Sequence, residues 1–174
     1  MSYKVEQLLE RKDVKEEIIE SLKKTKETRR EHVFNFCIRN GEIVPTDIEE
    51  GKQHNVDAES KCTTEDSKVI GAFHTHTKLT NNEDVVPSPR DIMKSVGDDL
   101  EFFCIGGNIE DRGIIRCFNK NDLLLEINKV LDITKKDVTG ENVSRATRHI
   151  VGRMLSDIDY LNEHSYITLY RIET

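Results

Sequence analysis

The stretch from His32 to Val44 restricts the fold most. His32-Val33-Phe34-Asn35-Phe36-Cys37-Ile38 is β-branched and aromatic, and Asn40-Gly41 follows it. An Asn-Gly pair supplies the two positive-φ positions of a tight hairpin turn, whose twist matches that of the strands it joins. Glu42-Ile43-Val44 then returns as a second strand, and Pro45 helps end it. Ahead of this hairpin, residues 4–29 are helical in pattern. Val5, Leu8, Leu9, Val14, Ile18, Ile19 and Leu22 recur at three-and-four spacing among Lys, Glu and Arg. Lys12-Asp13 is a place where that helix can divide in two.

The same patterns continue downstream. Residues 46–66 are polar and turn-rich and read as a loop, with a short strand near Val56. Lys68 to His76 reads as a strand of the buried kind, and residues 77–87 as a long polar loop. Ser88-Pro89-Arg90-Asp91 opens a helix that runs to about Ser95. Glu101–Ile105 and Gly113–Phe118 are two more strands, expected to join through a turn around Gly106-Gly107 and Asn108. Helices at about 121–132 and 141–162 and a last strand at Tyr166–Ile172 complete the chain. Hairpins mixed with helices, without a regular βαβ rhythm, predict an α/β fold with a mixed β-sheet flanked by helices.

At 174 residues the expectation is one domain over 1–174, with residues from about 121 to 174 as a C-terminal extension. A formal net charge of −7 argues against the phosphate backbone of nucleic acid as the main partner, leaving only a local patch such as Arg145, Arg148 and Arg153. No apolar run approaches the roughly 20 residues of a membrane helix, and the N-terminus lacks the apolar core of a signal peptide. Cys37, Cys62, Cys104 and Cys117 are scattered without a C-x-x-C pair. They read as reduced, mostly buried thiols of a cytoplasmic protein, although Cys104 and Cys117 can lie close on paired strands.

The chemistry concentrates in residues 71–91. Side chains at i and i+2 of a strand share a face, so the rings of His74 and His76 stand on one side with roots about 7 Å apart. Two imidazoles so placed can converge on one metal at roughly 2.1 Å each. Gly71 and Ala72 keep the approach to them slim. Taken alone, His-x-His also suits a strand with two outward polar side chains. Ser88-Pro89-Arg90-Asp91 likewise has a plain reading: Ser at the N-cap, Pro at the first helical position and Asp at the third begin many ordinary helices.

Together these residues resemble the metal motif of the JAMM/MPN (JAB-domain) zinc metalloprotease family, which is His-x-His, seven residues, then Ser-x-x-Asp, often with Pro before the Ser. Gly71-Ala72-Phe73-His74-Thr75-His76 and Val86-Pro87-Ser88-Pro89-Arg90-Asp91 carry the likeness. Two features depart from it. Eleven residues separate His76 from Ser88, and Thr77 stands where Pro is usual. Lengthening a surface loop this much costs well under ~1 kcal/mol of closure entropy, so the ligands can keep their places.

The resemblance implies a cytidine-deaminase-like core and a Zn2+ ion held by His74, His76 and Asp91, with a fourth position open for water. It implies Ser88 as partner of the developing oxyanion and a glutamate general acid/base where the first long helix yields to a strand. Glu31 occupies that place, with Glu27 and Glu42 as the residues it could be confused with. The implied reaction is hydrolysis of a peptide or isopeptide bond, in this family often at ubiquitin or ubiquitin-like tails, so the expected partner is a protein or peptide substrate. A metal-free MPN scaffold and a zinc enzyme for nucleotides or small amides are the rival readings. A deaminase proper is disfavoured, because Pro-Cys-x-x-Cys is missing. His32, His54, His149 and His164 are expected to be isolated polar filler, and Glu49-Glu50 and Asp98-Asp99 solvated charge pairs. The 77–87 loop, lying between two ligands, is expected to touch substrate, with a tolerated insertion as its alternative.

Overall fold

The computed structural model describes residues 4–51, 62, 68–80 and 82–172. The first helical stretch is divided, as the sequence suggests, into α1 (Val5–Glu10) and α2 (Lys12–Thr28). The hairpin follows as β1 (His32–Arg39) and β2 (Glu42–Pro45). Asn40 and Gly41, at φ 51° and 79°, form its two-residue turn between Arg39 and Glu42. A two-residue strand β3 (Glu49–Glu50) pairs with the start of β1, and β4 (Lys68–Thr75) pairs along its other edge. The expected strand near Val56 lies outside the described residues, as does His54.

After β4 come α3 (Pro89–Gly97), β5 (Phe102–Ile109), β6 (Arg112–Asn119), α4 (Lys120–Thr134), α5 (Gly140–Ser156), α6 (Ile158–Glu163) and β7 (Tyr166–Arg171). The result is an α/β protein with one mixed, strongly curled sheet of seven strands, in the order β2-β1-β4-β5-β6-β7 with β3 beside β1. Among the described residues, only β4 and β5 run parallel. A parallel pair needs a crossover, and the segment carrying α3 is that crossover.

Both sheet faces are covered, which is why β1, β5 and β6 are buried almost throughout rather than at alternate positions. Leu9, Val14, Ile18 and Leu22 of the first two helices pack with Phe34, Phe36, Phe73, Phe102 and Ile115 on one side. Ile92 of α3, Leu123 and Ile127 of α4, Ile150 and Met154 of α5 and Leu161 of α6 pack with Phe103, Ile105, Ile114 and Phe118 on the other. The C-terminal elements thus join this second core, and β7 extends the sheet beside β6.

Three sequence expectations are corrected. Gly106, Gly107 and Asn108 lie within β5, and the turn is Glu110-Asp111, with Glu110 at φ 53°. The glycines serve close approach instead: a Cβ on Gly106 would meet Ile115 and Phe73, and one on Gly107 would meet Leu79 and Val85. The helix expected at 141–162 breaks at Asp157, whose carboxylate accepts from the amides of Asp159 and Tyr160 and caps α6.

The cysteines are the third correction, since they are not free thiols. Cys104 and Cys117 face each other across the β5–β6 ladder and are joined, and Cys37 of β1 is joined to Cys62 with Cα atoms 6.1 Å apart. Such pairs are more typical of extracellular proteins, so the ground for a cytoplasmic location falls away. Among the described residues, no helix is long and apolar enough to cross a membrane.

Candidate metal centre

The carboxyl end of β4 meets the N-terminus of α3, the region where open α/β sheets ordinarily bind ligands. Alternation along β4 sends Phe73 and Thr75 toward α2 and leaves His74 and His76 on the α3 side. Thr75 Oγ1 lies 2.5 Å from Thr25 Oγ1 of α2 and accepts from the His32 amide at 2.8 Å, which pins the strand between the two histidines.

On the facing side, Ser88 caps α3 in a reciprocal box. Its Oγ accepts from the Asp91 amide at 3.0 Å, and its own amide donates to Asp91 Oδ2 at 2.9 Å. The ordinary helix-start reading of Ser88-Pro89-Arg90-Asp91 is therefore correct, and it does not exclude the other. The same carboxylate presents Oδ1 to His74 Nε2 at 3.3 Å and Oδ2 to His76 Nε2 at 3.4 Å. The capping box orients the acid that the histidines meet.

The two Nε2 atoms are 3.2 Å apart, and the three side chains form the one group of this kind among the described residues that could hold a metal ion. Ligands bound tetrahedrally at roughly 2.0–2.1 Å stand about 3.3–3.4 Å from one another. The observed separations fit that triangle, and two imidazoles with one carboxylate are a donor set suited to zinc.

The electrostatics agree. Burial of the His74 ring works against its charged form, but the Asp91 carboxylate, with Glu31 further off, outweighs it and raises the pKa above the ordinary value. Burial of Asp91 acts the same way on its charge, yet His74 and then His76 overcome it and hold the carboxyl far below the usual range. The group is thus poised to hold a positive charge among its three donors.

Glu31, directly before β1, lines a cavity of about 270 Å3 together with His74, His76, Asp91 and Ser88. All five residues singled out from the sequence therefore border one space. Glu27 is exposed on the last turn of α2 and Glu42 exposed at the start of β2, and neither lines this cavity.

Thr77 and Lys78 of the 77–87 loop also border the cavity, whereas much of the rest of the loop turns inward. Leu79 packs over Gly107, and Val85 and Val86 are buried among the α3–α6 core. Asp84 forms a buried two-pronged ion pair with Arg116 of β6, at 2.8 and 2.6 Å. Arg116 also donates to Ser165 Oγ at 2.8 Å and is 1% exposed. Neither partner was readable as such from the sequence, because they lie 32 residues apart and each looks like ordinary surface charge.

Two histidines expected to be isolated are not. His32 is buried, with Nδ1 3.1 Å from Thr25 Oγ1 and 2.9 Å from the Arg30 carbonyl. The ring nitrogens of His164 face Asp122 at 2.7 Å and Glu126 at 3.3 Å. Tertiary packing supplies these partners, and no local pattern announces them. His149 is exposed on α5. Of the acidic pairs, Glu50 pairs with Arg30, Asp98 with Lys94 and Asp99 with Lys120 at the surface.

Compared with known proteins, the chain matches no family model and no curated sequence.

Proposed function

We propose that this chain is a zinc-dependent hydrolase of the JAMM/MPN type that cleaves a peptide or isopeptide bond. The observation that carries the reading is the convergence of His74, His76 and Asp91 at 3.2–3.4 Å on the edge of a cavity that Glu31 and Ser88 also line. The mixed sheet, with a ligand-bearing strand parallel to its neighbour across a capped helix, is compatible with that family's cytidine-deaminase-like core. A zinc ion bound by the three side chains would polarise the scissile carbonyl and lower the pKa of a coordinated water toward neutrality.

The other residues then have definite tasks. The Glu31 carboxylate takes a proton from the attacking water and returns it to the departing amine. Ser88 already accepts the Asp91 amide through Oγ, so its hydroxyl proton remains available for the oxyanion that forms at the carbonyl. The substrate class is a protein or peptide, with ubiquitin-like tails among the candidates, and the two disulfides favour an oxidising location.

Elemental analysis combined with a panel of peptide and isopeptide substrates tests this. One zinc per chain is expected, lost in the His74→Ala, His76→Ala double variant. Glu31→Gln is expected to keep the zinc and lose about 10²–10⁴-fold in rate. Wild-type protein that takes up no zinc would point instead to an MPN-type scaffold, and unchanged turnover in Glu31→Gln would remove that residue from the mechanism.

A further inference from the structure

The cavity does not stop at the three ligands. Ala72, Leu100 and Phe103 form apolar walls beyond them, and Ser95 is set among these. Ala72 precedes His74 by two residues and so shares its face of β4, while Phe103 is its partner on the parallel strand β5. Ser95 follows Asp91 by four residues and so stands one turn further along the same face of α3. The recess therefore runs from the metal centre along the groove between the sheet and α3.

Ser95 is unusual for a helical serine. Ser21, Ser156 and Thr147 each donate to the carbonyl four residues back, at 2.7, 3.1 and 2.8 Å, the usual resort of a hydroxyl inside a helix. Ser95 does not. It is 2% exposed, and its Oγ has no hydrogen-bond partner among the described residues. A buried hydroxyl left without a partner is unfavourable unless something entering the cavity supplies one.

Resting on the hydrolase reading above, we infer that this recess is a specificity pocket for a substrate side chain with an apolar body and one neutral hydrogen-bonding atom at its far end. Tyrosine is the amino acid that best meets both requirements. Lys78 and Arg90 are exposed and Lys94 is paired with Asp98, so the cations stand at the rim, where they meet the substrate's backbone or flanking acids. A charged tip in the apolar recess would lose its water without a counter-ion. At about 270 Å3 the cavity falls just below the ~300–1,000 Å3 of small-molecule pockets, enough for one side chain and its peptide group. A site that hydrogen-bonds a substrate hydroxyl rejects the analogue lacking it far better than an apolar wall alone can.

Two measurements test the inference, the first by binding alone and the second through cleavage. In the first, p-cresol and toluene are titrated into the zinc-free protein and followed by NMR. p-Cresol is expected to bind about tenfold or more tightly than toluene. Ser95→Ala should remove that difference, and Ala72→Phe should block both ligands. Equal affinities in the wild type, or a preference that survives Ser95→Ala, would overturn the pocket. In the second, the zinc-loaded protein is presented with a peptide library, and Tyr is expected over Phe at one position flanking the cut, with the preference lost in Ser95→Ala. Cleavage without any Ser95-dependent preference, or an Asp/Glu preference abolished by Lys94→Gln, would overturn the pocket and leave the hydrolase standing. Selective phenol binding with neither a library member nor any isopeptide substrate of the panel cleaved would support the pocket and overturn the hydrolase.

Discussion

Asp84→Asn is a small chemical change with a large expected effect. The Asp84 carboxylate accepts two charge-assisted bonds from Arg116, at 2.8 and 2.6 Å, and a third from the Val85 amide at 2.7 Å. Both partners are buried, with side chains 2% and 9% exposed. The substitution leaves the guanidinium buried without a counter-charge and turns an amide NH2 toward its N–H groups. Removing one partner of a buried pair costs about 3–5 kcal/mol. In a chain of this size each kcal/mol moves Tm by about 2–4 °C, so the midpoint should fall by about 6–20 °C. The loss should reach the candidate metal centre as well, because buried Val85, Val86 and Pro87 connect Asp84 directly to the Ser88 cap that orients Asp91. Zinc affinity should therefore drop together with stability.

Chemical denaturation and zinc titration of Asp84→Asn, Arg116→Met and the double variant are the assays. The double variant removes the stranded charge and should be clearly less destabilised than the sum of the two single variants. A single-variant loss below about 1 kcal/mol, or strict additivity in the double variant, would refute the ion pair as the strut of this loop. Altered substrate preference at unchanged stability would instead restore the loop to the role of a substrate contact.

The remaining predictions follow from the same geometry. Ser88→Ala should show both of its roles at once, losing about 1 kcal/mol of stability as a cap and about 10²-fold in rate as an oxyanion partner. A loss in only one of these measurements would strike out the other role. In the metal-free protein, the raised His74 pKa stabilises the fold below about pH 6.5, and that contribution is lost as pH rises through the folded value. The lowered Asp91 pKa stabilises above about pH 3.9 and is lost as pH falls through the folded value. Zinc must displace the His74 proton, so the rise in Tm on adding zinc should shrink from pH 7.5 to pH 5.5, and an equal rise at both would count against these ligands. Reducing the disulfides, which span 25 and 13 residues, should cost about 3 kcal/mol each, and four reactive thiols in the unfolded, unreduced protein would show that they do not form.

What the chain revealed before folding was whatever its neighbours in sequence decide. The apolar spacing of α2 marks its buried face, Asn40-Gly41 can make its turn without help from elsewhere, and Ser88 and Asp91 close their capping box within one helical turn. His74 and His76 share a face because strand geometry alternates, wherever the strand is placed. The glycines of β5 misled for the opposite reason. A glycine pair reads locally as a turn, and only Phe73, Ile115, Leu79 and Val85 packed against it demand the missing Cβ. Cys37 with Cys62, Asp84 with Arg116, and His164 with Asp122 are joined across 25, 32 and 42 residues. No local pattern encodes which distant group will satisfy a buried charge or thiol. Ser95 belongs with them, since one turn of helix says that it follows Asp91, while only the packed groove against β4 and β5 leaves its hydroxyl without a partner among the described residues, beside the candidate metal centre.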